Sequence, residues 1–383
     1  MSPRDVEERL QALREQALGR EAQQDAWPRL QRRLRREPWR RAALVAGLVL
    51  AVLVVSVAPG LLARRTQPRP VPTVGTPVVP GRPVLAAQIR LDRPFTDVEV
   101  GFGATWVAGQ GALLRIDQRT NRVVATIPTP LTGTGENASI AFGEGAVWVT
   151  SGQANGVVYR VDPATNRVTA AIEVPGGAVR IVVAADTVWV TQYLPERDPT
   201  IVTRIDARTN RLLSPVVEAP HMSGAMCDGL DAIWVSSSRS TVSRIDPRSG
   251  AVTQRLHHVG IVKAVGGGSL WGTFADNTGE VVRRIDPGTG RVLATIRIPY
   301  RWRMAFGLGT LWVTQHTPTT SGRNEPAKMK PGKLYRIDPT NNQVLGRPVP
   351  LPGIAPTALA VGEGAVWVGE LHGKTLTRFN LAP

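Results

Sequence analysis

Five histidines and one glutamate are the side chains best suited to proton or metal chemistry: His221, His257, His258, His316, His372 and Glu370. Glu370 and His372 flank Leu371, and residues two apart on an extended strand share a face. A carboxyl and an imidazole so placed can exchange protons with a substrate. Histidines scattered along the chain could also converge on a divalent metal once it folds. Local spacing does not support a metal centre strongly, because no His-x-His or His-x-x-His occurs. Cys227 is the sole cysteine, which excludes an internal disulfide and a cysteine-built metal site. There is no Ser-His-Asp pattern, no phosphate-binding glycine loop and no quinone-cofactor signature. No cofactor is expected, and a divalent metal enters only if His316, Glu370 and His372 catalyse a reaction.

The elements that would position these residues are repeated. A tryptophan follows a small-residue turn seven times, at Trp106, Trp148, Trp189, Trp234, Trp271, Trp312 and Trp367. The spacings are 42, 41, 45, 37, 41 and 55 residues, the last lengthened by the insertion 316–332. Each unit then carries Arg-Ile-Asp or a variant, with arginines at 115, 160, 204, 244, 284, 336 and 378. Each holds short Val/Ile-rich runs broken by Gly, Asp-Pro and Thr-Asn. Four-stranded units of about 40 residues are propeller blades. The fold class is therefore all-β, a seven-bladed β-propeller of four-stranded blades. The seventh unit supplies three strands, 356–381, and an orphan strand-like run, "RPVLAAQIRLD", precedes the first unit. Residues 84–91 are expected to pair with 374–381 and close the ring, which removes an open strand edge.

The phrases "RIDQRTNRVVATIP", "RVDPATNRVTAAIEVPGG" and "RIDPGTGRVLATIRIP" resemble YVTN-type (YncE-like) propeller repeats of bacterial surface and periplasmic proteins. "GEGAVWVT" with Arg-Ile is also similar to repeats of the streptogramin lyase (virginiamycin B lyase) superfamily. The resemblance spans 84–383. It implies the propeller and, for the second family, a metal-assisted lyase using His and Glu on the loop face. The lyase motif does not match residue by residue, so the activity is not carried over.

Repetition separates scaffold from site. The seven tryptophans and seven arginines occur in every blade and are expected to pack between blades, the arginines stacking on aromatic faces or pairing with acids there. The Asp of Arg-Ile-Asp is expected to bond the backbone of the tight turn after it. Function belongs where the copies differ. In a propeller, the 4-to-1 and 2-to-3 connections emerge on one face. His221, His257 and His258 fall in 4-to-1 connections; His316 and His372 fall in 2-to-3 connections. All five thus map to the loop face of blades 4–7. Tyr193, Arg301, Trp302 and Glu370 join them as ligand-binding candidates. Glu196, Met222, Arg239, Asp276, Tyr300, Arg303 and Arg323 are further unrepeated residues, and "YRWRM" (300–304) suits stacking or anion contact.

Outside the repeats, residues 42–63 are 22 residues without a charge, long enough to cross a bilayer as a helix. Seven arginines between 29 and 41 precede them and three between 64 and 69 follow. The heavier basic flank stays inside. The organisation expected is a basic, helical cytoplasmic tail (1–41), a transmembrane helix (42–63), a Pro-rich linker (64–83) and the propeller (84–383). The linker carries six prolines in residues 66–83 and reaches about 55 Å if fully extended. The tail reads as a basic juxtamembrane helix lying on anionic lipid or as a docking segment for a cytoplasmic partner; its similarity to short tails of membrane proteins encoded beside alternative sigma factors implies the second. Most of the net charge of +16 flanks the membrane segment or is spread thinly outside, which excludes nucleic acid as a partner. The expected protein is a single-pass membrane protein with an extracytoplasmic propeller. It binds or senses a cell-envelope polymer, a small molecule or a protein. The alternatives are an anchored lyase and a structural envelope component.

Overall fold

The computed structural model describes residues 81–130, 138–152, 156–193, 200–219, 222–237, 240–276, 279–298, 301–318, 329–353, 356–370 and 374–382. The tail, the apolar segment 42–63 and nearly all of the linker lie outside them. Among the described residues no helix is long and apolar enough to cross a membrane.

Among the described residues, 28 strands form seven four-stranded antiparallel sheets. The first described strand is β1 (Arg82–Arg90). Blade 1 is β2 (Phe95–Gly101), β3 (Ala104–Gly109), β4 (Ala112–Asp117) and β5 (Arg122–Pro128). Blade 2 is β6 (Ile140–Gly143), β7 (Ala146–Thr150), β8 (Val157–Asp162) and β9 (Arg167–Glu173). Blade 3 is β10 (Gly177–Ala184), β11 (Thr187–Tyr193), β12 (Thr200–Asp206) and β13 (Leu212–Ala219). Blade 4 is β14 (Met222–Gly229), β15 (Ala232–Ser237), β16 (Val242–Ile245) and β17 (Val252–Leu256). Blade 5 is β18 (Ile261–Gly266), β19 (Ser269–Asp276), β20 (Gly279–Ile285) and β21 (Val292–Ile296). Blade 6 is β22 (Arg301–Gly307), β23 (Thr310–Pro318), β24 (Met329–Ile337) and β25 (Val349–Pro350). Blade 7 is β26 (Pro356–Gly362), β27 (Ala365–Glu370) and β28 (Thr375–Ala382), with β1 as its fourth strand. The first strands of neighbouring blades touch one another, so they line the axis.

Strand β1 pairs antiparallel with β28, from Arg82 opposite Ala382 to Arg90 opposite Thr375. It begins two residues inside the segment assigned to the linker. This arrangement splits the turn that other blades place between their third and fourth strands. Arg336 of blade 6, which would reach that turn, donates instead to the Gly81 carbonyl at 2.6 Å.

The repeated residues explain how the blades join. Each Trp is fully buried and packs against the following blade: Trp148, for example, lies with Ile181, Val188, Val190 and Ile205 of blade 3. A guanidinium from its own blade covers each ring, at 5.2–5.8 Å from the centroid. The same arginine reaches the turn of the next blade. Arg160 donates to the Ala207 carbonyl (2.9 Å) and to Asn210 Oδ1 (3.1 Å). Arg115 does the same to Pro163 and Asn166, and Arg378 to Gln118 and Asn121 across the seam. These asparagines adopt left-handed backbone (φ 57–59°), a conformation their short amide tolerates. One residue thus makes the turn and accepts the neighbour's arginine. Backbone N–H groups close each turn on its Asp. They hold the Asp117, Asp162, Asp206 and Asp246 carboxyls below the ordinary range.

A second device shapes the axis. A hydroxyl two residues past the Trp accepts an N–H from the innermost strand: Thr150 from Ser139, Thr191 from Arg180 and Thr314 from Arg303. The innermost strand is bulged near this level in blade 1 and in blades 3 to 7. Bulges re-aim side chains, and here the clip sets the backbone of Arg180 and Arg303.

Candidate functional site

The innermost strands surround an axial cavity of about 730 Å³ to which all seven blades contribute. Among the described residues, six charged ones line it: Asp97 and Glu99 from β2, Arg180 from β10, Asp228 from β14, Lys263 from β18 and Arg303 from β22. Phe142, Ile181, Met226, Met304 and Leu359 supply apolar wall between them. The volume is in the range of small-molecule pockets, about 300–1,000 Å³.

The charges fall at defined register positions. The residue paired with the repeated Trp is Ala141, Val182, Cys227, Ala264, Ala305 and Ala360 in blades 2–7; in blade 1 it is Glu99, opposite Trp106. Two residues earlier, blades 1, 3 and 6 carry Asp97, Arg180 and Arg303, whereas blades 2, 4, 5 and 7 carry Ser139, Ala225, Val262 and Ala358. Asp97 is tied to blade 2, its Oδ2 accepting the Ile140 N–H at 3.0 Å. Arg303 donates through Nε to the Thr357 carbonyl of blade 7.

Blades 3 and 4 break another pattern. The glycine closing each innermost strand abuts an apolar residue of the next blade: a Cβ on Gly143 would meet Val183 at 2.3 Å, and one on Gly266 would meet Phe306 at 2.1 Å. Blade 3 has Ala184 in place of the glycine, and the residue of blade 4 at the abutting apolar position is Asp228. The substitution puts a carboxyl where other blades pack a half-buried Val or Phe.

Burial sets the electrostatics. It pushes the Glu99 carboxyl well above its ordinary value, and Asp97 and Asp228 add repulsion that Arg180 only partly offsets. Burial also raises the Asp228 carboxyl and the Cys227 thiol. Arg303 is pushed down to about 10, by burial first and then by Arg180, with Asp97 opposing. Arginine still carries its charge at neutral pH. Glu99 gives a pH prediction. Its native pKa lies above the unfolded one, so its contribution to stability is full below the unfolded value, near 4.5, and is lost as pH rises through the native pKa. Glu99→Gln should match the wild type near about pH 4 and become progressively more stable relative to it as pH rises. Urea denaturation of both proteins across that range checks this; parallel curves would refute it.

The candidates chosen from connections are placed differently. His257 and His258 are exposed in the β17–β18 connection; His257 Nδ1 lies 3.3 Å from Thr241 Oγ1. His258 has φ 60°, and its carbonyl accepts Arg283 at 3.1 Å, which makes it a turn residue. His316 is half-buried within β23 rather than in a connection. Arg301 and Trp302 open β22, so "RWRM" is innermost strand and not loop. Tyr193 ends β11. Glu370 ends β27, buried, with its carboxyl against Gly353; a Cβ there would overlap it at 1.8 Å. Burial raises its pKa. His221 and His372 lie outside the described residues. None of His257, His258, His316 and Glu370 lines the channel, whereas Arg303 does. Among the described residues no three His, Cys, Asp or Glu side chains stand close enough to hold a metal. Asp97, Glu99, Arg180, Asp228 and Lys263 were missed because unrepeated residues were sought in connections. The same filter applied to the innermost strand exposes Glu99 at once.

No protein-family model matches the chain, and none of the curated proteins matches it. Solved structures do. Hydrazine synthase of Kuenenia stuttgartiensis is similar over 78% of this chain and 99% of that one, with a TM-score of 0.59 and 12% identity. The β-propeller domain of Myceliophteria thermophila Cps50 (Swd1) is similar over 79% of this chain and 100% of that one, with a TM-score of 0.60 and 10% identity. At such identities the likeness is one of fold, and it agrees with the strand order: the described chain is a seven-bladed β-propeller.

Proposed function

We propose that this protein is a membrane-tethered, extracytoplasmic binding or sensor module of YVTN-like type whose propeller takes a ligand into its axial channel. The observation that carries the reading is the set of charged side chains concentrated on the axis of a repeated scaffold. Gathering mostly half-buried charge on one axis is costly and does not serve blade packing, which the Trp and Arg repeats already supply. The tether is the apolar segment 42–63, with residues 1–41 inside and available to a cytoplasmic partner. Tyr193, His221, Arg301, Trp302 and His372 remain the ligand contacts this reading expects beyond the channel.

The test uses the full-length chain. Protease added to intact cells should cut the propeller and spare residues 1–41; the reverse pattern would defeat the topology. In detergent, a small-molecule library screened by thermal shift should contain compounds that stabilise the wild type. An Asp97→Asn, Arg180→Gln double variant should lose their effect. A library with no channel-dependent binder would defeat the binding reading. The lyase reading keeps one specific support, the buried Glu370 carboxyl with its raised pKa, which suits a proton donor. A divalent metal would belong to that reading alone, and the described donors do not assemble one.

A further inference from the structure

We propose that the axial channel binds a small organic oxyanion, a carboxylate or phosphate gripped between the Arg180 and Arg303 guanidiniums with Lys263 beside them. This rests on the channel being the ligand site and adds the class of ligand.

Three bases enter one cavity from blades 3, 5 and 6. Arg180 and Arg303 sit at the same register position, and each backbone N–H is clipped by a threonine hydroxyl at 3.1 Å. The Nε bond to Thr357 fixes one edge of the Arg303 guanidinium. Its Nη edge makes no hydrogen bond among the described residues, which leaves the fork that recognises carboxylate or phosphate. The two arginines repel each other across the cavity. An anion between them removes that repulsion and replaces lost hydration.

Acidic groups face the same space: Asp97 and Glu99 from β2 and Asp228 from β14, while β6 and β26 contribute no charge. Asp97 is already engaged with the Ile140 N–H. Burial raises the Glu99 carboxyl, which lessens the negative charge that the three bases meet in the cavity. A bare ion would leave most of 730 Å³ unused. The apolar wall of Phe142, Met226, Met304 and Leu359 suits the carbon body of an organic anion.

Isothermal titration of the full-length protein in detergent at low salt tests this, with succinate and inorganic phosphate as the two probes and sodium chloride as control. At least one oxyanion should bind where chloride does not. Arg180→Gln and Arg303→Gln should each weaken it by about tenfold or more. Arg180→Lys, which keeps charge and fold, should weaken it partially. Equal binding in the wild type and all three variants would overturn the proposal, as would binding of neither oxyanion. If the library of the preceding test yields only cations or neutral compounds, lost in Asp97→Asn but not in the arginine variants, the oxyanion is overturned and the channel stands as a binding site.

Discussion

Deleting Arg82–Arg90 from the full-length chain should lower the stability of the propeller by about 3–5 kcal/mol and make it self-associate. The strand's own ladder does not account for this. Its eight registered pairs each contribute about 1 kcal/mol net, and ordering nine residues costs about 1–2 kcal/mol each. The loss comes from what the strand covers. Ile89 packs on the core shared by blades 7 and 1, which includes Leu91, Phe95 and Leu376. Arg336 is buried, and its bond to the Gly81 carbonyl is lost when the strand that holds Gly81 in place is removed. The whole of β28 becomes an open edge whose free N–H and C=O groups can pair with another copy. Urea unfolding should show the lower midpoint, and size-exclusion chromatography the association. A peptide with the sequence of residues 81–91, added in trans, should reverse both in part. An unchanged midpoint in a monomeric deletion variant would end the closure argument.

The scaffold was legible because each structural duty recurs seven times. Trp, Arg, Asp and Asn are spaced alike in most blades, and each role has a local cause: burial, stacking, turn closure or a left-handed turn residue. The site was legible only in part. Arg303 stood out beside Trp302, yet "RWRM" read as a connection because its polar and aromatic residues break the usual Val/Ile pattern of a strand. The structure makes it strand, since the Thr314 hydroxyl holds the Arg303 N–H where a regular ladder is interrupted. Glu99 was hidden by its neighbours: "TDVEVG" alternates like any half-exposed strand, and only alignment on Trp106 shows that it replaces a small apolar residue. The convergence of Asp97, Arg180 and Arg303 from blades 1, 3 and 6 depends on ring closure, which no local pattern encodes.

Trp148→Ala should cost about 3–5 kcal/mol, the other large effect expected. The side chain is fully buried and fills the space between blades 2 and 3, against residues of both. Removing it leaves a cavity between two sheets whose separation is fixed elsewhere by Arg160 and the blade 3 turn, so collapse can recover little. Arg160 also loses the ring beneath it, 5.2 Å from its guanidinium carbon, worth about 0.5–1 kcal/mol. A paired comparison isolates the indole N–H. Trp148 Nε1 donates to the Gly143 carbonyl at 3.1 Å, whereas Trp189 Nε1 is buried without a partner among the described residues. Replacing each by Phe removes similar volume, but at 148 it also strands an acceptor, while at 189 it removes an unsatisfied donor. Trp148→Phe should therefore be the more damaging by about 1–2 kcal/mol. Chemical denaturation of the two variants measures the difference directly. Equal losses would mean that shape alone, and not the indole hydrogen bond, determines what the repeated tryptophan contributes.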